Sequence, residues 1–202
     1  MNERIVKLPF GKTIFQSLEG HSVTKDAKYL IDFVLNNNEN RDNKVLELGS
    51  GTGIIPIMLA HYRPTWQFLG IEIQSKLIDI ARSNLKLIKQ KIEFYQADIK
   101  SYRNSRQDWD IIVSNPPYYI RESSRISPNR EKAIARHEIL CKMKDILTSI
   151  QFHLAADGKA YLIYPLFRQT ELKKLLPEFN LTFNKVKYPD SKRFMIEICR
   201  CK

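Results

Sequence analysis

Residues 111–118, Ile111-Ile112-Val113-Ser114-Asn115-Pro116-Pro117-Tyr118, contain three β-branched residues and then two prolines. The first half reads as a short buried strand, and the prolines end it because neither can donate to a sheet ladder. Asn115 and Tyr118 therefore fall at the carboxyl end of a strand, where open α/β sheets bind their ligands. Asn115 offers an amide oxygen, Pro116 a carbonyl oxygen, and Tyr118 a flat aromatic face. Two acceptors converging on one point suit a planar NH2 group, and the ring suits a stacked base or amide. A strand-ending turn in which Asn115 satisfies only local backbone has the same sequence, so the rest of the chain has to decide.

Working back from this strand, Val45-Leu46-Glu47-Leu48 is a second short strand that runs into Gly49-Ser50-Gly51-Thr52-Gly53. A helix comes next, from Ile54 to about His61, with Pro56 in its first turn, where a missing N–H costs nothing. Strand, glycine loop and helix is the order in which backbone approaches a ligand closely at a helix N-terminus. The spacing departs from the dinucleotide fingerprint, because Ile54 follows Gly53 directly, and no Gly-Lys-Ser/Thr is present for a phosphate loop. The next strand, Trp66 to Ile73, carries Glu72 at its end, a position that commonly holds ribose hydroxyls. Ser75 is read as the cap of a helix to about Gln90, with Leu77, Ile78, Ala81, Leu85 and Ile88 buried. A strand Ile92 to Gln96 leads to Asp98, and Trp109 to Ser114 is the strand already described. In a parallel sheet, Glu47, Glu72, Asp98 and Asn115 all arrive at one edge.

Towards the N-terminus, residues 1–20 read as a strand or hairpin fragment and then loop, and a helix begins near Thr24 with Asp26 in its first turn. Its apolar face is Ala27, Leu30, Ile31, Val34 and Leu35, and polar residues 36–43 connect it to the core. Beyond Tyr118, a basic loop carries Arg121 and Arg125. Ser127-Pro128 reads as a helix start. Ile139, Met143, Ile146, Leu147, Ile150 and Leu154 form a long helical stripe, with Met143 as core, and Asp157-Gly158 ends it. Lys159 to Pro165 is a strand, and Arg168 to Leu176 a helix closed by Pro177. Leu181 to Tyr188 and Arg193 to Cys201 form a hairpin.

The chain has 202 residues, enough for one domain. Its 33 basic and 22 acidic residues give a net charge of +11, which favours a polyanionic partner. No apolar run is long enough for a membrane span and no signal-peptide hydrophobic region is present. Cys141, Cys199 and Cys201 lack metal-ligand spacing and read as reduced thiols of a cytoplasmic protein. No metal cluster is visible.

The β/α alternation ending in an antiparallel hairpin, with Glu-x-Gly-x-Gly-x-Gly first and Asn-Pro-Pro-Tyr after the fourth core strand, resembles the class I S-adenosylmethionine-dependent methyltransferases. Three further segments occur in order: residues 20–26 (Gly-His-Ser-Val-Thr-Lys-Asp), 70–74 (Gly-Ile-Glu-Ile-Gln), and Ser127-Pro128-Asn129 with residues 133–138 (Ala-Ile-Ala-Arg-His-Glu) after it. With these, the chain is similar to the bacterial tRNA (adenine-37 N6) methyltransferases, although His21 and Val23 stand where that family usually has aromatic residues. The resemblance implies one α/β domain over residues 1–202, with 1–43 as an N-terminal strand and helix extension. Its sheet would be Rossmann-like, seven-stranded and mostly parallel, with helices on both faces and a C-terminal antiparallel hairpin.

The resemblance also implies site roles. S-adenosylmethionine would be held by Glu47, Gly49, Ser50, Gly51, Gly53, Glu72, Ile73, Asp98, Ile99 and Asn115. Glu72 would accept from ribose hydroxyls and Asp98 from the adenine amine. Asn115, Pro116, Pro117 and Tyr118 would hold the methyl acceptor, and Lys25, Arg121, Arg125, Arg130 and Arg136 would grip RNA phosphates. tRNA is the expected partner of a monomer or weak homodimer. Protein-glutamine N5 methyltransferases acting on release factors share Asn-Pro-Pro-Tyr but usually carry a helical N-terminal domain, whereas about 44 residues precede the first core strand here. An rRNA methyltransferase is a further alternative, and a non-catalytic RNA-binding module is the reading from outside the enzymes.

Overall fold

The computed structural model describes residues 3–18, 25–39, 42–86, 91–103, 109–118 and 140–201. An antiparallel hairpin, β1 (Glu3–Lys7) and β2 (Thr13–Ser17), precedes helix α1 (Lys25–Asn37). The core then runs β3 (Lys44–Leu48), α2 (Ile54–Tyr62), β4 (Gln67–Glu72), α3 (Ser75–Leu85), β5 (Ile92–Gln96) and β6 (Trp109–Ser114). After α4 (Met143–His153) come β7 (Leu154–Pro165), a 3-10 turn (Leu166–Arg168), α5 (Gln169–Leu175), a second 3-10 turn (Leu176–Phe179), β8 (Leu181–Asp190) and β9 (Arg193–Arg200).

The seven-stranded sheet has the order β5-β4-β3-β6-β7-β9-β8. Its first five strands pair in parallel, and β9 runs antiparallel to both β7 and β8. The expected sheet, mostly parallel with a closing hairpin, is the one observed. Because side chains alternate across a pleated strand, neighbouring apolar residues serve opposite cores. Val45, Ile111 and Val113 face α1, α2 and α3, while Leu46, Ile112 and Leu162 face α4 and α5. Successive apolar residues within β3 and β6 are thus a result of helices on both faces. Met143 is core, as the stripe implied.

Strand order reverses between β3 and β6, with β4 and β5 on one side and β7 on the other. That reversal opens a crevice above the carboxyl ends of β3 and β6, the place where doubly wound sheets take ligands. Ser114 fastens it by donating its hydroxyl to the Leu48 carbonyl at 2.6 Å.

Four local expectations need correction. The α3 N-cap is Gln74, not Ser75, because Gln74 is extended (φ −85°, ψ 111°) while its carbonyl already accepts from the Leu77 and Ile78 N–H groups. Helix α4 starts at Met143, where Asp145 accepts from the Lys142 N–H in a capping box, and ends at His153 rather than at Gly158. Leu154 belongs to β7, which is bulged against β6: Trp109 pairs with Leu154 and Ile111 with Lys159. Gly158 lies inside that bulge, and a Cβ there would stand 2.9 Å from the Trp109 carbonyl oxygen. Arg168 precedes α5 and forms the end of the 3-10 turn. The expected helix start at Ser127-Pro128, the helix N-cap at Thr24 and Ile88 lie outside the described residues.

Candidate active site

The Gly49–Gly53 loop turns back over the sheet, with the N–H groups of Gly49 and Ser50 both donating to the Ile71 carbonyl at 2.9 Å. Gly53 has φ +83°, a conformation costly for any residue with a Cβ. A Cβ there would also meet the Phe94 ring at 2.5 Å. The same ring approaches Gly70, where a Cβ would lie 2.6 Å from Phe94 and 2.8 Å from Ser50. Two glycines on different elements therefore let one phenyl ring wedge the loop in place. Asn84, fully buried on α3, completes the support: it donates to the carbonyls of Thr52 and Phe15 and accepts from the Phe15 N–H.

A cavity opens over this loop. Glu47, Gly49, Ser50, Gly51, Glu72, Ile73, Asp98 and Ile99 line it together with Asn115, Pro116, Pro117 and Tyr118. Of the residues expected to hold a cofactor, only Gly53 stands apart, beneath the loop against Phe94. Lys25 is at the first turn of α1, and Arg121, Arg125, Arg130 and Arg136 lie outside the described residues. Sequence reasoning missed the contribution of the N-terminal segment: Gln16, Ser17 and Asp26 are buried and line the same cavity. Asp26 is ion-paired with Arg193. The only sequence signal for it was its place in the segment 20–26. Cys141 also lines the cavity, and all three cysteines are free thiols.

The acids differ in what they bond. The two Glu72 oxygens accept from the N–H groups of Gly51 and Gln74, each at 3.0 Å. Burial still raises its pKa above the usual 4.5. Asp98 is partly exposed and caps its own turn, accepting from the Lys100 N–H at 2.9 Å. Glu47 is buried, and among the described residues its Oε2 has no hydrogen-bond partner. Burial, and after it the neighbouring Glu72 charge, lifts its pKa well above 4.5. An orphaned buried carboxylate is expensive unless something cationic arrives. The cavity thus gathers four acidic side chains, Asp26, Glu47, Glu72 and Asp98, with an amide, a carbonyl and an aromatic ring among apolar residues. No group of three His, Cys, Asp or Glu side chains among the described residues could hold a metal ion.

The sequence family described as the methyltransferase small domain matches residues 21–164. The chain belongs to this family. A tRNA1(Val) (adenine(37)-N6)-methyltransferase of Parabacteroides distasonis is 30% identical over 78% of this chain and 69% of its own length. A release factor glutamine methyltransferase of Lactococcus lactis is 31% identical over 68% of this chain, which spans about half, 53%, of that relative. Among solved structures, a 16S rRNA N2 methyltransferase from Thermus thermophilus, in complex with AdoMet and guanosine, superposes with a TM-score of 0.71 at 15% identity, covering 99% of this chain and 50% of that one. A ribosomal-protein methylase from Lactobacillus delbrueckii gives a TM-score of 0.69 at 15% identity over 93% and 84% of the two chains. These likenesses show a shared methyltransferase fold.

S-adenosylmethionine is the cofactor of this family and fold, and the residues here suit it. It carries a sulfonium and an ammonium, and the slot presents the buried Glu47, whose Oε2 has no hydrogen-bond partner among the described residues. Glu72 keeps lone pairs for hydroxyls after its two backbone bonds, because an ionised carboxylate has about four acceptor sites.

The Glu47 environment bears on stability. A carboxyl whose folded-state pKa is raised holds, above pH 4.5, a proton that the unfolded chain has released. The cofactor-free protein should therefore lose stability as pH rises from about 4.5 towards the raised value, and level off above it. Glu47→Gln should flatten that slope and raise the melting temperature near neutral pH, while weakening S-adenosylmethionine binding at least about tenfold. Thermal melts of both proteins from about pH 5 to about pH 8, with and without cofactor, check this. An unchanged slope in the variant would remove Glu47 as its source.

Proposed function

We propose that this protein transfers the methyl group of S-adenosylmethionine to the exocyclic N6 amine of an unpaired adenine in tRNA, at position 37 beside the anticodon. The observation that carries the reading is the lining of one cavity by Asn115, Pro116 and Tyr118 together with Glu47, Glu72 and Asp98. A donor supplies an electrophilic methyl on a positively charged sulfur. The chain's own residues then have three tasks. Tyr118 stacks on the acceptor base, an interaction of about 1–3 kcal/mol. The Asn115 Oδ1 and the Pro116 carbonyl accept hydrogen bonds from the two amine N–H groups, which turns the nitrogen lone pair out of conjugation and towards the methyl. The methylated nitrogen then sheds its surplus proton to solvent, so positioning and electrostatics supply the rate and no carboxylate base is needed.

Three features favour RNA. The net charge is +11. The similarity to the tRNA enzyme extends over 78% of the chain. On the same rim of the sheet, Phe167 is 63% and Tyr188 55% exposed, beside Lys187 and Lys192, as in surfaces that combine stacking with phosphate contacts. The release-factor relative supports a second reading, glutamine N5 methylation, because a side-chain amide presents the same planar NH2 to Asn115. Incubating the protein with radiolabelled S-adenosylmethionine and either unmodified tRNA or a release factor separates the two. Label in tRNA, recovered as N6-methyladenosine by nucleoside mass spectrometry, is the expected result. Label in the release factor alone would replace it.

A further inference from the structure

Arg168 is a large charged side chain with only 2% of its surface exposed, and the cofactor cavity does not include it. Burying a guanidinium is costly unless its charge and its donors are all met. Here Nε and Nη2 form a forked pair with the Glu171 carboxylate at 2.6 and 2.9 Å. The remaining arm, Nη1, donates to the backbone carbonyl of Tyr118 at 2.7 Å. The fork is rigid, so Glu171 fixes the plane of the guanidinium and the plane fixes where that third bond points. The turn that carries Arg168 is anchored in turn, since the Leu166 N–H donates to the Lys192 carbonyl in the β8–β9 turn at 2.8 Å. On the other side of Tyr118, Arg193 bridges Asp26 and Asp190 and shares a small cavity with the tyrosine.

We infer that Arg168, oriented by Glu171, is the positioning residue that sets Tyr118 at the height and angle needed to stack on the methyl acceptor. Tyr118 comes after two prolines, four residues past Ser114, where the described pairing of β6 with β7 ends. A buried charge directed at its carbonyl is what replaces the missing ladder. The chain beyond β7 thereby reaches Tyr118 without itself lining the cavity. The inference rests on the assignment of Tyr118 to the acceptor, and its test keeps the two apart.

The full-length protein is assayed with S-adenosylmethionine and whichever acceptor the wild type methylates. Arg168→Met should lower kcat about 100-fold, the scale of an ångström-sized misplacement, and Arg168→Lys, which keeps one donor, about tenfold. Cofactor Kd should stay within about twofold for both, because Arg168 does not line that end. In a Tyr118→Ala background, Arg168→Met should cost nothing further, because there is no ring left to place. If Tyr118→Ala alone leaves kcat unchanged, the acceptor role of Tyr118 fails. If Tyr118→Ala is slow and Arg168→Met multiplies the loss in full, or if Arg168→Met weakens cofactor binding as much as kcat, positioning fails. Should Arg168→Met not fold, Glu171→Gln decides: its carboxyl is half exposed, and a wild-type kcat in that variant overturns the inference.

Discussion

Asn115→Ala should abolish methyl transfer, by about 10³-fold or more in kcat, and leave S-adenosylmethionine affinity within a few-fold of wild type. The size reflects the loss of a preorganised polar contact that matters most in the transition state, which costs roughly 10²–10³ for a single hydrogen bond. In the proposed reaction the Asn115 amide oxygen accepts a hydrogen bond from the amine and holds the acceptor nitrogen in register with the methyl, so orientation is lost along with electrostatics. The backbone should not move. Ser114 remains bonded to the Leu48 carbonyl, and Pro116 is buried. Asn115→Asp keeps an acceptor oxygen at the same place and should retain part of the rate. Single-turnover transfer of labelled methyl, beside calorimetric cofactor binding, reads both quantities. Wild-type turnover in Asn115→Ala would remove the amide from the mechanism, and a parallel collapse of cofactor binding would make Asn115 a residue of the other subsite.

The parts of the site that were legible in the sequence are those fixed within one strand and the turn after it. Val45-Leu46 and Ile111–Val113 are apolar at successive positions because both faces of a parallel sheet are covered. The carboxyl ends of such parallel runs all land on one edge, so Glu47, Glu72, Asp98 and Asn115 could be brought together on paper. Helix-period reasoning failed at Leu154, which continues the apolar stripe of α4 but pairs with Trp109 as a strand. Burial on the same face satisfies either period, and only the neighbouring strand decides. Residues whose work is tertiary left no trace. Asn84 joins α3 to β2 across |i−j| = 69, and Arg168 reaches Tyr118 across |i−j| = 50. Neither has a spacing to notice. Gly53 was legible as a glycine the loop requires, and its left-handed φ of +83° and the Phe94 ring against it are the reasons the fold supplies.

Glu72→Gln should cost about 100-fold in S-adenosylmethionine affinity, equivalent to about 2.7 kcal/mol, and the cause is a conflict of donors. Both carboxylate oxygens accept from backbone, Oε2 from Gly51 in the glycine loop and Oε1 from Gln74 before α3. A glutamine has only one oxygen, so whichever way the amide turns, its NH2 faces an N–H that cannot accept. One of two anchors is then lost: either the loop comes away from β4 or the turn into α3 loosens. The remaining lone pairs, which suit two neighbouring hydroxyls, are halved at the same time. The cofactor-free protein should be little changed, because removing a buried carboxylate whose pKa is raised by burial offsets part of the lost hydrogen bond. The signature is therefore a cofactor-free melting temperature near wild type and a cofactor-dependent rise that is displaced to about 100-fold higher concentration. Glu72→Ala leaves both N–H groups to water and should shift that titration further. A wild-type titration in Glu72→Gln would mean that the carboxylate serves only the loop, and the hydroxyl-binding role would pass to another residue of the rim.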